Sequence, residues 1–578
     1  MIGAGIPALG QDKPESILPP GFGDPVTAPT PAPAPTGARP APSASGTPAG
    51  PDGAVPTPSA SATPGATETP TVDPAALARY EMPEYARRSL DLVGPVGPAE
   101  GGLRPDAFGR EDGRYLETLM RRLDTPIASR WLSIALRRAL LSQLATPRQV
   151  NGADFAAERA WLLLRMGEAA AARGVVQYVD ADNYTPKLYQ VAMQTALANG
   201  DPAALCSAAD GGAGLGLERG WVLAQAMCAG LAGQPTRAQA LIKSARDNGV
   251  AGGIDLLLAQ KIAGSGAKGT QAVTIEWQSV DRLTAWRYGL AMASGAEIPD
   301  TLLATVSPNV QSWRALSPAL TAKARASAAE QAAVRGVFSN AALVDLYGAI
   351  ETDDDQSGAE VGIAHDLRTA YTAELPARLD ALKGLWDEPT TPDGRYGRLI
   401  LTARAAARIP ADTAGADIDR LVASMLTAGL DRSAMRWHDK APRYGDAWAM
   451  LSLVDPDRVA ISYSDVGRYT SANEAVLKRQ MLFAGLAGLG RMSVADINRG
   501  ASGLDVPIGL DNAWTRAIAH AAMAREPATV LVLAGIGMQT RMWHGVSPVA
   551  LYHIVTALRA VGQEGEARMI AAEAIARL

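Results

Sequence analysis

Two cysteines stand in the chain, Cys206 in AALCSAAD and Cys228 in AQAMCAGL. A structural metal site takes four ligands, and no further ligands stand beside this pair in the sequence. The two are read as a disulfide or as two buried thiols. Five histidines, His365, His438, His520, His544 and His553, are scattered. None has the H-x-x-x-H spacing with a glutamate that puts two imidazoles on one helix face. His544 and His553 can approach each other across a loop, but no carboxylate cluster accompanies them, and all five are read as surface or core residues. Asp353, Asp354 and Asp355, with Ser357 and Gly358, have the outline of a calcium loop. The twelfth position of such a loop supplies a bidentate carboxylate; here it is Ala364, so the stretch is read as a solvated acidic loop. No nucleophile elbow, phosphate-binding loop or dinucleotide fingerprint occurs in a strand–turn–helix setting. No catalytic, cofactor-binding or metal-binding residue is expected. Among the tryptophans, Trp131, Trp161, Trp221, Trp286, Trp437 and Trp448 fall in helical stretches. They are candidates for lining a groove, with core packing as the alternative.

The elements that position these residues are helical hairpins. WLLLRMGEAAAARGVV (161–176), VAMQTALANGDPAALCSAA (191–209) and LAQAMCAGLAGQPTRAQALIKSA (223–245) each run apolar helix, glycine turn, alanine-rich helix. The turn glycines Gly167, Gly200 and Gly233 are 33 residues apart both times. A fixed period in this range marks a solenoid, because one hairpin cannot bury its own apolar face and must stack on neighbours. The fold class expected is all-α, an α-solenoid or superhelix of hairpins. Cys206 then falls near the end of one second-arm helix and Cys228 on the following first-arm helix. Counted from the glycine-rich loop the two differ in height by about 10 Å, an offset that GGAGLG (211–216) can absorb. In an oxidising compartment a bridge is expected.

Taken in order, MIGAGIPALG ends in Ala8-Leu9-Gly10 before Gln11, the small-x-small form of a signal-peptidase site. Residues 1–10 are expected to be a signal-peptide remnant. Residues 11–72, rich in Pro, Ala, Thr, Ser and Gly from about Pro19, have too little to bury and are expected to be a disordered linker. Helix begins at Asp73-Pro74, a cap followed by a first-turn proline, and Ala75 to Leu92 reads as one or two short helices. Helical repeats fill 73–347 and 398–578. Between them, 348–397 holds the acidic loop, short helices and the Pro/Gly stretch EPTTPDGRYG (388–397), taken as a subdomain break. Val310 to Ala329 reads as one helix. In the helix 126–144, Ile127, Trp131, Ile134, Ala135 and Leu141 fall near one face, with Arg130, Arg137 and Arg138 off it. No strand is expected.

These hairpins resemble tetratricopeptide repeats. Gly233 and Gly562 match the turn glycines, Ala238 and Ala567 the small residue opening the second helix, and Ala245 and Ala574 the later small position. The Trp–Leu–Gly–Tyr series of the first helix is absent. The resemblance implies a superhelix with a concave groove that binds proteins or peptides. Gly535-Ile536-Gly537-Met538-Gln539 is similar to the G-L-M-Q stretch of soluble lytic transglycosylases, whose catalytic domain follows a helical superhelix. No Glu-Ser pair precedes it in the helical region, and the chain beyond Gln539 is too short for a lysozyme-like cleft, so the stretch is read as part of an apolar helix.

Net charge is −5 with 20% charged residues. No basic stripe is available to neutralise phosphates, so no nucleic-acid partner is expected. No apolar run approaches the roughly 20 residues that span a bilayer; the longest, near Ala528 to Met538, is read as a buried helix. The expectation is an exported, periplasmic, non-enzymatic scaffold for a protein or peptide partner. The alternatives are an accessory subunit of a cell-wall (peptidoglycan) system and a cytoplasmic location.

Overall fold

A computed structural model describes residues 83–216, 219–266, 273–413, 415–457 and 459–578. The expected signal-peptide remnant 1–10, the expected linker 11–72 and the expected cap at Asp73 lie outside these residues. The chain divides into two units, one holding Arg88–Leu578 and the other Gly23–Arg87. In the smaller unit the described element is a 3-10 turn, Glu84–Ala86. The larger is all-α, a helical-repeat unit with one short antiparallel ribbon between β1 (Leu92–Val93) and β2 (Leu144–Ala145).

The first helices are α1 (Gly113–Arg122), α2 (Arg130–Leu141), α3 (Gly152–Arg165), α4 (Ala169–Gln177), α5 (Pro186–Ala198), α6 (Ala209–Gly214), α7 (Arg219–Leu231), α8 (Pro235–Asp247) and α9 (Gly253–Ser265). The middle of the chain forms α10 (Ala285–Ser294), α11 (Asp300–Leu303), α12 (Pro308–Leu316), α13 (Ala322–Val334), α14 (Asn340–Glu351), α15 (Ala359–Thr372), α16 (Leu375–Asp387), α17 (Pro392–Ala406) and α18 (Ile418–Thr427). The last are α19 (Asp431–Met435), α20 (Asp446–Val454), α21 (Tyr463–Arg468), α22 (Ala475–Gly488), α23 (Val494–Gly503), α24 (Ala513–Met523), α25 (Pro527–Gly537), α26 (Pro548–Ala560) and α27 (Glu564–Arg577). Starts are written locally. Thr185, Thr391 and Ser547 each accept a backbone N–H of the first turn, and each is followed by a proline that has no N–H to satisfy.

One turn geometry recurs. Gly167, Gly200, Gly233 and Gly562 have φ between 61° and 88°, a region glycine enters without a Cβ penalty. After each, the next residue donates its N–H five residues back: Glu168 to Leu163, Asp201 to Ala196, Gln234 to Ala229 and Gln563 to Leu558. This closure satisfies a carbonyl that the helix end leaves open. The same bond follows Gly249, Gly295, Gly336, Gly429 and Gly490. It also follows Arg525, at φ 59°, where Glu526 donates to Ala521. The small residues Ala172, Ala238, Ala245, Ala567 and Ala574 are all buried, which lets paired helices approach.

The array does not run on as an open stack. Helix α2 packs on α3 and α4 and, from the far end of the chain, on α25 and α27; α1 packs on α25 as well. No residue of α2 is exposed. The three arginines placed off its apolar face are covered too: Arg130 is 3% exposed, and Arg137 and Arg138 are half-buried. They reach neighbouring helices instead of solvent.

Arginine is the recurrent means of closing helix C-termini. Arg165 of α3 donates to Leu123 and Met120 at the end of α1, at 2.7 and 2.6 Å. Arg159 of α3, fully buried, donates to Leu140 and Ser142 at the end of α2 and to Val93 of β1. Arg378 reaches Ala370, Arg436 reaches Ala407, Arg479 reaches Tyr469, and Arg568 reaches Val454. Arg491 donates to Ser452 and Asp455. The last carbonyls of a helix lack partners and carry the negative end of its dipole, and a planar five-donor fork answers both needs. Burial pulls the Arg159 guanidinium down to about 9, still charged at neutral pH.

Several boundaries differ from the sequence reading. Residues 87–91 are not helical, and Leu92 enters β1. The run 310–329 breaks at 317–321, around Pro318, into α12 and α13. Within 388–397, Pro392 is the first residue of α17, Thr391 accepts from Gly394 N, and Tyr396 is buried. The proline and glycine there start a helix. In the second hairpin the second arm is only a 3-10 turn, Pro202–Leu205, followed by α6.

Candidate functional site

Buried ionisable groups converge on the N-terminus of α2. Ser129 caps it, accepting from Leu132 N at 3.1 Å. Glu573 of α27, 3% exposed, completes the cap from the other end of the chain. Its Oε1 accepts from Arg130 N at 2.8 Å, and its Oε2 accepts from Ser129 Oγ at 2.6 Å and Trp131 N at 3.2 Å. A carboxylate there meets both free N–H groups and the positive end of the helix dipole. One turn further, Arg577 lies 3.2 Å from Glu573, donates to Ala128 O at 2.7 Å and stacks 4.5 Å from the Tyr396 ring centre. Burial, reinforced by Glu573, pushes the Tyr396 phenol well above its ordinary range. The Arg130 side chain runs the opposite way. Nε donates to Ala333 O at the end of α13 and Nη1 to Thr427 O at the end of α18, both at 2.8 Å. Burial lowers its pKa.

A small cleft of about 10 Å³, room for about one water, opens here between Trp131, Tyr396, Thr427, Met569 and Glu573. Small-molecule sites run from about 300 Å³ upward, and the Glu573 oxygens already accept from Ser129, Arg130, Trp131 and Arg577. The arrangement clamps α2, α13, α18 and α27 together and presents no unengaged carboxylate to a substrate. A second, partly buried pair lies towards the other end of α2. Arg137 Nη1 donates to Glu168 Oε1 at 2.8 Å and to Gly336 O at 3.0 Å. Burial, only partly offset by Arg137, pushes the Glu168 carboxyl up to about 7.

The residues singled out from sequence are dispersed. Trp221 and Trp437 are fully enclosed and Trp286 nearly so, its indole N–H donating to Asp255 O at 3.2 Å. Trp131, Trp161 and Trp448 are half-buried against the core; Trp131 faces the cleft, and Trp448 lies edge-on to Tyr444. Cys206 and Cys228 form a disulfide with Cα atoms 5.4 Å apart. His544 faces Glu474, at 3.7 Å, while His553 sits edge-on to Trp514 and Tyr552, where burial lowers its pKa. His365, His438 and His520 lie on the surface beside Glu351, Asp439 and Glu111. Among the described residues no group of three or more His, Cys, Asp or Glu is placed to hold a metal ion. In the acidic loop, Asp355 pairs with Lys323 at 2.8 Å and accepts from Ser357; these hydrogen bonds hold its carboxyl down to about 2. Gly535 of the GIGMQ stretch fits against Leu123 and Leu136, and Gln539 accepts from Asp124 N at 2.9 Å. That stretch seats α25 on α1 and α2.

Sequence reasoning missed Glu573, Arg577 and Tyr396. Glu573 and Arg577 stand four apart and look like a surface ion pair; the one signal was a charged residue set among alanines in IAAEAIARL. No known protein family, curated protein or solved structure matches the chain. No helix among the described residues is long and apolar enough to cross a membrane.

Proposed function

We propose that the protein is an exported, non-enzymatic helical-repeat scaffold of the tetratricopeptide type that binds a protein or peptide partner in the cell envelope. The observation that carries this reading is the stacked array of hairpins built on one recurring turn, with the ionisable groups at its junction committed to backbone N–H and C=O groups. Such arrays offer extended surface for partners. Val476, Val494 and Met523 on the C-terminal helices, and Met542 in the loop after α25, are more than half exposed and supply apolar contact points. The Cys206–Cys228 pair supports export, since disulfides persist in oxidising compartments. A cell-wall accessory role needs ring faces open to a glycan, and the enclosure of Trp221, Trp286 and Trp437 weighs against it.

The test is photo-crosslinking in the native cell, with probes at Val476 and Met542, followed by fractionation and identification of the adducts. A recurrent partner in the envelope fraction, lost with Val476→Asp, is the expected result. Recovery of the chain from the cytosol with Met1 intact, or without adducts, overturns the reading.

A further inference from the structure

We propose that residues 206–216 form a redox-held strap: reduction of the Cys206–Cys228 disulfide lifts it from Trp221 and Tyr189 and uncovers an aromatic surface. The strap occupies the place of the missing second arm in the second hairpin. It contains the six-residue helix α6 and the glycines Gly211, Gly212, Gly214 and Gly216. Glycine is the poorest helix former after proline, and a helix this short does not sustain itself. The backbone bonds of α6 and its end stay inside the strap: Gly212 N to Ala208 O, Leu215 N to Gly211 O and Gly216 N to Ala213 O.

The strap is fastened mainly to α7. Ala208, Ala209 and Gly212 are buried, Gln225 donates to Asp210 at 2.8 Å in an exposed position, and the disulfide fixes its start to α7. The glycines are required by what lies beneath. A Cβ on Gly211 would stand 2.1 Å from Tyr189 Oη, and one on Gly212 would stand 2.4 Å from Trp221 Cδ2. Trp221 and Tyr189 meet edge-on at 5.5 Å, and Tyr184 joins Tyr189 at 5.3 Å. At Gly211 and Gly212 bare backbone thus lies against the Tyr189 hydroxyl and the Trp221 ring.

The bridge is reachable. Cys206 is exposed and Cys228 half-buried, and exposed disulfides are the labile ones. A thiolate of a dithiol reductant attacks the Cys206 sulfur, the bond to Cys228 breaks, and Cys228 leaves and takes up a proton. The second thiol of the reductant then displaces Cys206 and closes the reductant's own disulfide. The protein gains two electrons and two protons, and the strap loses its covalent cross-link to α7.

Hydrogen exchange read by mass spectrometry on the full chain, oxidised and dithiothreitol-treated, tests this. Amides within 208–216 should exchange at least tenfold faster after reduction, with 152–165 and 186–198 unchanged and oxidative labelling of Trp221 increased. A Cys206→Ser/Cys228→Ser double variant should behave as the reduced chain without reductant. Gly212→Ala, which forces the strap off Trp221 with the bridge intact, should show the same exchange while oxidised. Exchange within twofold of the oxidised chain, two free thiols in protein from its native compartment, or loss of protection across the whole array would each overturn the proposal.

Discussion

Removing the Glu573 carboxylate leaves two backbone N–H groups at the start of α2 without their acceptor in a buried setting and takes one buried partner from Arg577. Breaking a buried pair from one side costs about 3–5 kcal/mol. Glu573→Ala should lower stability by roughly that amount in urea denaturation, and Glu573→Gln, which keeps one acceptor oxygen, by less. Glu168 makes a pH prediction. Its carboxyl is raised from 4.5 to about 7 in the fold, so the folded state holds the proton more tightly than the unfolded chain. The slope of stability with pH follows the difference in bound protons. This group therefore contributes fully at pH values below 4.5, and its contribution is lost as pH rises towards 7. Glu168→Gln should gain stability relative to the parent between pH 5 and pH 8, measured as the difference in urea midpoint; a constant difference would refute the assignment. Neither residue was legible beforehand. A helical pattern marks Arg130 and Arg137 as lying off the apolar stripe, but solvent and the end of another helix look alike from the sequence.

Among elements, the turns were the most legible, because the left-handed backbone they need selects glycine in the sequence itself. Gly167 and Gly233 share this conformation, at φ 88° and 74°, but not their surroundings. A Cβ at Gly233 meets nothing within 4 Å, whereas one at Gly167 stands 2.6 Å from Ser312 Cβ. Gly233→Ala should cost about 1–2 kcal/mol, the left-handed penalty alone, and Gly167→Ala clearly more, as compared by thermal melts. Where the sequence put another residue in the same turn, it hid the element. Arg525 sits at φ 59°, and Arg525→Gly should relieve strain and stabilise by up to about 1 kcal/mol after the added freedom of the unfolded chain is set against it.

At the scale of the whole unit, repeat periodicity reported that each helix has a face to bury but not which helix covers it. An open stack loses a terminal repeat with little effect on distant ones. Here α27 caps α2 and packs on α18, α20 and α22. A chain ending at Ser547 should lose amide protection in α2 by at least tenfold, read by hydrogen exchange over 130–141; protection equal to that of the full chain would show the repeats to be independent. The long reach of that one cap also bears on biosynthesis. Arg130 leaves the ribosome 443 residues ahead of Glu573, and 203 and 297 ahead of the carbonyls of Ala333 and Thr427. Until Thr427 is translated the Arg130 side chain lacks its carbonyl acceptors, and until α27 follows the start of α2 lacks its carboxylate cap. A product broken off before α27 keeps that helix start uncapped, a difference that a protease or chaperone can read.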